Sequence, residues 1–422
     1  MLAHFNYSGD ICISSIPTAS VCPIRHIGSI SPLYLMAKPV GAACNLRCSY
    51  CYYLEKSELA GSRRGPTMSP EVLERFIKSY IEAQTGPAVQ FIWHGGEAMM
   101  AGLDFYRRVV ELQNQYAGDR RIDNSIQTNG ILITDEWCRF LKENGWLVGV
   151  SIDGPKDVHD SFRTDASGRG SFDRVMEGIR LMQAHGVEWN ALAVVNSLNV
   201  GRPEEFYDFF KSIGCRYLQF TPVVERLTES GSLARADDDD GLVTPQSVSP
   251  EAWGEFLCRV FDRWVRADVG RMFVQLFDAT LANWLGEMPG LCTMGSLCGH
   301  AGVVELNGDV YSCGHFVFPQ YRIGNIMTNS VAEMMTGPAQ TEFGRRKTDG
   351  LSRRCRACEF LFTCHGECPK NRFVRTRADD KPHNYLCEGY RRFFAHAAPY
   401  MDFMADEYRH RRSPANVMKL FR

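Results

Sequence analysis

From Leu33 to about Pro222, short runs rich in β-branched and aromatic residues alternate with stretches of helical period. The runs at 34–38, 89–93, 125–128, 147–152, 189–195 and 217–221 predict strands. Between them the helices carry readable start and stop signals. Ser69-Pro70 supplies an N-cap and a proline at the first helical position, and Val72, Leu73, Phe76, Ile77, Tyr80 and Ile81 then recur on one face. Ser171 opens a second helix, with Phe172, Val175, Met176, Ile179 and Met182 on its apolar face and Gly186 as its stop. Six β–α alternations predict a parallel sheet with right-handed crossovers. About 190 residues are too few for a closed eight-fold barrel, so the expected α/β fold is a partial (β/α)6 TIM-like barrel.

The pattern breaks at 223–249, where Ser, Gly, Thr and the acidic run 237–240 predict an exposed linker or lid loop, solvated rather than substrate-facing. Helical stretches follow at 250–267 and near 273–285. After Leu291 the chain is rich in turns and basic residues and looks too irregular to continue the barrel. The expected organisation is a leader at 1–32, the barrel at 33–222, a linker loop and helices at 223–290, a cysteine-rich domain at 291–400 and a tail at 401–422. The leader lacks a basic n-region, and Asp10 and Pro17 interrupt its apolar stretch, so no export signal is expected. Met36 is an alternative start. No window approaches eighteen apolar residues, so no membrane span is expected. A net charge of -2 argues against a polyanion binder, despite the basic run 409–412. Neither a Walker-type nor a dinucleotide-binding glycine motif occurs.

Sixteen cysteines among 422 residues are the compositional anomaly. In the expected compartment, a reducing cytoplasm, they predict metal ligands or buried thiols rather than disulfides. Cys44-Asn45-Leu46-Arg47-Cys48-Ser49-Tyr50-Cys51 follows the first strand directly, where β/α folds gather their chemistry. Three thiolates on one loop can hold one iron–sulfur cube or one zinc, and a cube held by three leaves one iron open.

The C-x3-C-x2-C spacing, with Tyr50 before the last cysteine, resembles the radical S-adenosylmethionine superfamily. The resemblance implies that Cys44, Cys48 and Cys51 hold a [4Fe–4S] cluster whose open iron chelates S-adenosylmethionine, which is then reductively cleaved to a 5′-deoxyadenosyl radical. Trp93-His94-Gly95-Gly96-Glu97 follows the second strand, where the family's Gly-Gly-Glu segment meets the methionyl amino group. The residue chemistry agrees, since glycines allow close approach and a carboxylate accepts from an ammonium. Ser151, in Ser151-Ile152-Asp153-Gly154, resembles the family's hydroxyl contact, although Asp153-Gly154 also reads as a simple turn. Asn129, in Gln127-Thr128-Asn129-Gly130, and Asn196 lie at equivalent strand ends. Tyr50, Gly95, Gly96, Glu97, Ser151 and Asn129 are therefore the expected cofactor-facing residues.

The later cysteines, Cys292, Cys298, Cys313, Cys355, Cys358, Cys364, Cys368 and Cys387, suffice for two four-thiolate sites, and softness alone does not choose iron–sulfur over zinc. Their spacing resembles the SPASM extension of radical enzymes, an irregular domain with two auxiliary [4Fe–4S] clusters. The likeness implies that Cys292, Cys298, Cys313 and Cys368 hold one, and that Cys355, Cys358, Cys364 and Cys387 hold the other, for three clusters in all. Within that group the chain is most similar to the anaerobic sulfatase-maturating enzymes, on Lys38 through Lys56, Trp93 to Glu97, Asn307 to Cys313, Gly324-Asn325-Ile326 and Cys364 to Arg372. This implies oxidation of a cysteine or serine to Cα-formylglycine in a sulfatase carrying a C/S-x-P/A-x-R motif, with an electron donor such as flavodoxin or ferredoxin. No nucleic-acid or membrane partner is implied.

One departure concerns the catalytic base. The family usually has Asp directly after the third cysteine of the first auxiliary set, and this chain has Gly314 there, followed by His315. His315 is the expected substitute, although one step along an extended segment reverses side-chain direction. A peptide-crosslinking SPASM enzyme is a related alternative, but the short leader leaves no room for its usual recognition domain. A zinc-stabilised interaction protein is an alternative of another class. Cys138, Cys215 and Cys258 are expected as buried apolar thiols, and Cys12 and Cys22 have no partner spacing. The basic residues Arg345 to Lys347, Arg353, Arg354 and Arg356 are expected on a solvated surface, with offsetting of the cluster thiolates or contact with an acidic peptide as the alternatives.

Overall fold

The computed structural model describes residues 33–51, 53, 67–238 and 241–421. The leader with Cys12 and Cys22, Tyr52, residues 54–56 of the extended motif, and Asp239 and Asp240 of the acidic run lie outside the described residues.

Strands and helices alternate with the expected period: β1 (Tyr34–Lys38), α1 (Pro70–Glu82), β2 (Ala88–Trp93), α2 (Leu103–Tyr116), β3 (Arg121–Thr128), α3 (Asp135–Glu143), β4 (Leu147–Ser151), α4 (Lys156–Phe162), α5 (Phe172–His185), β5 (Trp189–Val195), α6 (Pro203–Ser212) and β6 (Tyr217–Pro222). β1 to β6 are parallel and adjacent in order. The Ser69 hydroxyl caps α1 by accepting the Val72 N–H at 3.3 Å, and Gly186 ends α5 in the left-handed region at φ +65°. Ser171 starts α5 without capping it, because its hydroxyl donates to the Arg163 carbonyl at 2.7 Å. β3 begins at Arg121, earlier than its apolar run, since the polar Asn124 is buried and satisfied by Trp93 Nε1 and Gln113 Nε2, both at 2.9 Å.

The sheet then extends in both directions. β7 (Arg226–Leu227) and β8 (Leu242–Val243) form a hairpin before α7 (Pro250–Ala267), β9 (Phe273–Val274) adds parallel to β6, and α8 (Gln275–Leu285) follows. β10 (Ala301–Glu305), β11 (Asp309–Tyr311) and β12 (Arg322–Asn325) join on the far side, giving the order β12-β11-β10-β1-β2-β3-β4-β5-β6-β9. The segment after Leu291, expected to be too irregular to continue the barrel, thus supplies three strands. β10 is parallel to β1 over five register pairs, from Tyr34↔Ala301 to Lys38↔Glu305, a pairing so distant in sequence that no local signature announces it.

The remaining elements are α9 (Val331–Thr336), α10 (Pro338–Asp349), α11 (Arg353–Arg356), α12 (Leu361–Cys364), β13 (Arg372–Val374), β14 (His383–Asn384) and α13 (Cys387–Arg409). α13 runs through the expected boundary at 400 and packs along α7, where Gly254 faces Gly389 so closely that an added Cβ on Gly254 would lie 2.8 Å from the Gly389 Cα. The acidic loop is not simply solvated. Asp237 accepts from Tyr321 Oη at 2.9 Å and Gln320 at 3.1 Å, Glu225 pairs with Lys370 at 2.6 Å, and Arg226 stacks on Phe373. The 223–249 segment is therefore tied to the cysteine-rich region. Cys138, Cys215 and Cys258 are buried in the core, as expected. No helix among the described residues is long and apolar enough to cross a membrane.

Candidate active site

The loop carrying Cys44, Cys48 and Cys51 leaves the carboxyl end of β1 and is laced to two neighbours. On one side Gly96 N–H donates to Gly41 O and Glu97 N–H to Ala43 O, both at 2.8 Å. On the other, Arg47 N–H donates to Thr164 O at 2.7 Å and Ser49 N–H to Phe162 O at 3.1 Å. The three thiols are half-buried and within electrostatic reach of one another. Burial pushes Cys44 up to about 12 and Cys48 up to about 11. Such thiols stay protonated until a metal's positive charge displaces the protons, so this donor set suits a soft, highly charged metal body.

Glu97 is buried, and its carboxylate accepts from Met99 N–H (3.0 Å), Thr128 Oγ1 (2.8 Å) and Asn129 N–H (2.7 Å). It is committed to the fold, locking the Gly-Gly segment to the end of β3. Asn129 in turn donates to Asn45 Oδ1 at 2.6 Å inside the cysteine loop. Ser151 lies at the end of β4 and accepts from Gln127 Nε2 at 3.0 Å. The turn-like Asp153 proves to be a hub. It is fully buried, accepts from Arg163 Nε at 2.9 Å, Arg163 Nη2 at 3.1 Å and Val194 N–H at 2.9 Å, and receives the Tyr50 phenol. Burial would raise its carboxyl, but the Arg163 charge and these donors hold it below the ordinary value. Tyr50 thereby anchors the cysteine loop to the segment just after β4. Asn196, by contrast, accepts from Leu198 N–H in a local turn.

The later thiols gather in two groups. Cys368, pushed well up by burial, feels Cys292, Cys313 and Cys298. Cys364, pushed up to about 12 by burial, feels Cys387 and Cys355, and Cys387 feels Cys358. Cys355, Cys358, Cys364 and Cys387 line one cavity of about 340 Å³ with Arg354, Phe360 and Phe394. Among the described residues no three His, Cys, Asp or Glu side chains form a group able to hold a single metal ion. Two cations serve these groups, of which Arg372 was not anticipated from sequence. Lys347, expected on a solvated surface, is buried and donates to the carbonyls of Cys292 (2.7 Å) and Thr293 (2.9 Å). Arg372 donates to the carbonyls of Gly366, His365 and Lys347 and lies within reach of Cys355, Cys368 and Cys298.

Cys313, Gly314 and His315 lie in a tight turn closed by Phe316 N–H to Cys313 O at 2.9 Å, not in the extended segment assumed from sequence. A Cβ added to Gly314 meets nothing within 4 Å. Nearby, and unanticipated, Lys38 and Glu305 are buried at the ends of β1 and β10, with Tyr53 between them. A lysine closing an apolar strand just before the cysteine loop was the available signal.

The Radical SAM superfamily model matches residues 39–210 and the SPASM iron-sulfur cluster-binding domain matches 297–359, defining a radical S-adenosylmethionine protein with a SPASM domain. The chain is 56% identical over 392 residues to the serine-type anaerobic sulfatase-maturating enzyme of Bacteroides thetaiotaomicron, covering 92% of this chain and 95% of that one. It is 33% identical over 371 residues to the cysteine-type enzyme of Clostridium perfringens, covering 87% and 97%. It also resembles the solved structure of native anSMEcpe with bound AdoMet and Cp18Cys peptide, at TM-score 0.79 and 32% identity, covering 89% and 99%. The chain belongs to the anaerobic sulfatase-maturating enzymes.

Proposed function

We propose that this enzyme oxidises a serine in a sulfatase polypeptide to Cα-formylglycine. The observation that carries the serine preference is the 56% identity, over nearly the whole chain, to a serine-type relative, against 33% to a cysteine-type one. Cys44, Cys48 and Cys51 would hold the cluster with the open iron. Gly95, Gly96, Glu97, Asn129, Ser151 and Tyr50 would frame S-adenosylmethionine, Glu97 by clamping the glycine segment and Tyr50 by anchoring the loop to Asp153. Cys292, Cys298, Cys313 and Cys368, and separately Cys355, Cys358, Cys364 and Cys387, would hold two auxiliary [4Fe–4S] clusters, supported by the two thiol groupings and by the charges of the buried Lys347 and the half-buried Arg372 beside them. When bound, these cofactors supply the radical hydrogen abstraction and an exit for electrons. The chain's own residues exclude water, place the peptide and take up its proton.

The substrate would carry a C/S-x-P/A-x-R motif, flavodoxin or ferredoxin would deliver electrons, and the reducing cytoplasm suits such clusters. Anaerobic incubation with S-adenosylmethionine, a reductant, and matched S-x-P-x-R and C-x-P-x-R peptides tests this by mass spectrometry. Formylglycine from the serine peptide is expected. Conversion of the cysteine peptide alone would reassign the type, and deoxyadenosine without product on either would reject sulfatase maturation. A brown protein with about twelve irons is expected; a colourless zinc protein would overturn the radical assignment.

A further inference from the structure

Lys38 and Glu305 are register partners at the carboxyl ends of the parallel pair β1–β10, so their side chains rise from the same face. Both are buried, at 0% and 6% exposure, yet they do not pair with each other. Lys38 Nζ has no hydrogen-bond acceptor among the described residues and lies 3.4 Å from the centroid of the Tyr53 ring. Glu305 accepts the Tyr53 phenol on Oε1 at 2.6 Å, while its Oε2 is buried without a donor. A buried donor and a buried acceptor left open on paired register positions are costly, and together they match a group that accepts one hydrogen bond and donates another. Lys38 is also within electrostatic reach of Cys51 and of Cys313, so the notch lies near residues of both thiol sites. Burial brings its ammonium down to about 8, which leaves it a donor at neutral pH. Beside Cys313, Gly314 offers open space and no side chain.

We propose that Lys38 and Glu305 cradle the hydroxyl of the target serine, Lys38 donating to its oxygen and Glu305 Oε2 receiving its proton during oxidation. This rests on the serine-oxidising function above. In the balanced reaction the Cβ–H and O–H bonds break and C=O forms. The Cβ hydrogen atom, carrying one electron, ends in 5′-deoxyadenosine. The second electron leaves the substrate radical for the redox chain and replaces the one consumed when the carbon–sulfur bond of S-adenosylmethionine breaks to give methionine. The hydroxyl proton ends on Glu305.

Glu305→Gln keeps an oxygen for Tyr53 and removes the proton acceptor. In the anaerobic assay its ratio of formylglycine to 5′-deoxyadenosine is expected to fall about 100-fold, while deuterium from a β,β-dideuterated serine peptide still reaches 5′-deoxyadenosine. A merely structural residue would lower both products together. Lys38→Met is expected to lower the same ratio. If Glu305→Gln fails to retain its iron, Glu305→Asp, with the carboxylate drawn back by one methylene, carries the same test with an expected loss of about tenfold. An unchanged ratio overturns the proposal, as does uncoupling by His315→Ala but not by Glu305→Gln. A wild-type enzyme inactive on every serine peptide overturns the serine assignment and this one with it; an active wild type with an indifferent Glu305→Gln overturns this one alone.

Discussion

A Cβ on Gly96 would sit 2.1 Å from the Ala43 carbonyl oxygen and 2.6 Å from that of Ala42. Both belong to the backbone of the cysteine loop and neither can swing away. Gly96→Ala is therefore expected to displace the loop, costing about 1–3 kcal/mol in a denaturant titration and lowering the iron bound per chain on anaerobic reconstitution. Wild-type iron content in that variant would show that the close approach is dispensable. Gly314 is the opposite case. It has open space around it and no left-handed backbone requirement, so Gly314→Asp is expected to hold thermal stability within about 0.5 kcal/mol of wild type. The two glycines look alike in sequence, and only the packing of distant backbone separates them.

The cysteine loop is held as an element by the β4–α5 connection, through Asp153, Arg163 and His159. Asp153→Asn would leave the Arg163 guanidinium buried against a neutral amide, at a cost of about 3–5 kcal/mol, read as a drop in unfolding free energy. His159 adds a pH dependence. Its Nδ1 accepts the Asp153 N–H at 3.4 Å and its Nε2 meets Ser171 Oγ at 2.9 Å, an arrangement suited to the neutral ring, and burial lowers it to about 4. Between pH 6.5 and 4 the unfolded chain binds a proton that the fold excludes. The stabilisation is thus complete above pH 6.5 and is lost as pH falls toward 4, by at most about 3 kcal/mol. Asp153 titrates below that window. His159→Gln is expected to flatten the slope of melting temperature against pH between 6.5 and 4.5; equal slopes would remove His159 as the cause. The Ser69 cap of α1, the Gly186 stop of α5 and the cysteine loop were legible because they are local. Asp153 read as a turn because its partners, Arg163, Val194 and Tyr50, become neighbours only when the strands align.

At the scale of the molecule, cysteine spacing announced metal chemistry but left open how the later thiols divide, since Cys368 groups with thiols far upstream while its near neighbour Cys364 groups with Cys355 and Cys387. Between Gly350 and Leu386 the chain forms only short elements, among them α11, α12, β13 and β14, around the second thiol group. Stripping iron under anaerobic, reducing conditions is therefore expected to lower the melting temperature and open residues 350–390 to limited proteolysis, with protection returning on reconstitution. Equal protease resistance with and without iron would contradict this. The pairing of β1 with β10 also bears on how the chain is born. β1 leaves the ribosome early, but its outer partner follows roughly 270 residues later, on the order of ten to fifty seconds at common synthesis rates. Through that interval Leu35 and Ala37 lie on an open sheet edge, a template for wrong pairing. The Lys38–Glu305 notch does not exist until β10 docks, so the nascent barrel, whatever metal it has already gathered, cannot assemble the proposed serine cradle before β10 has been made.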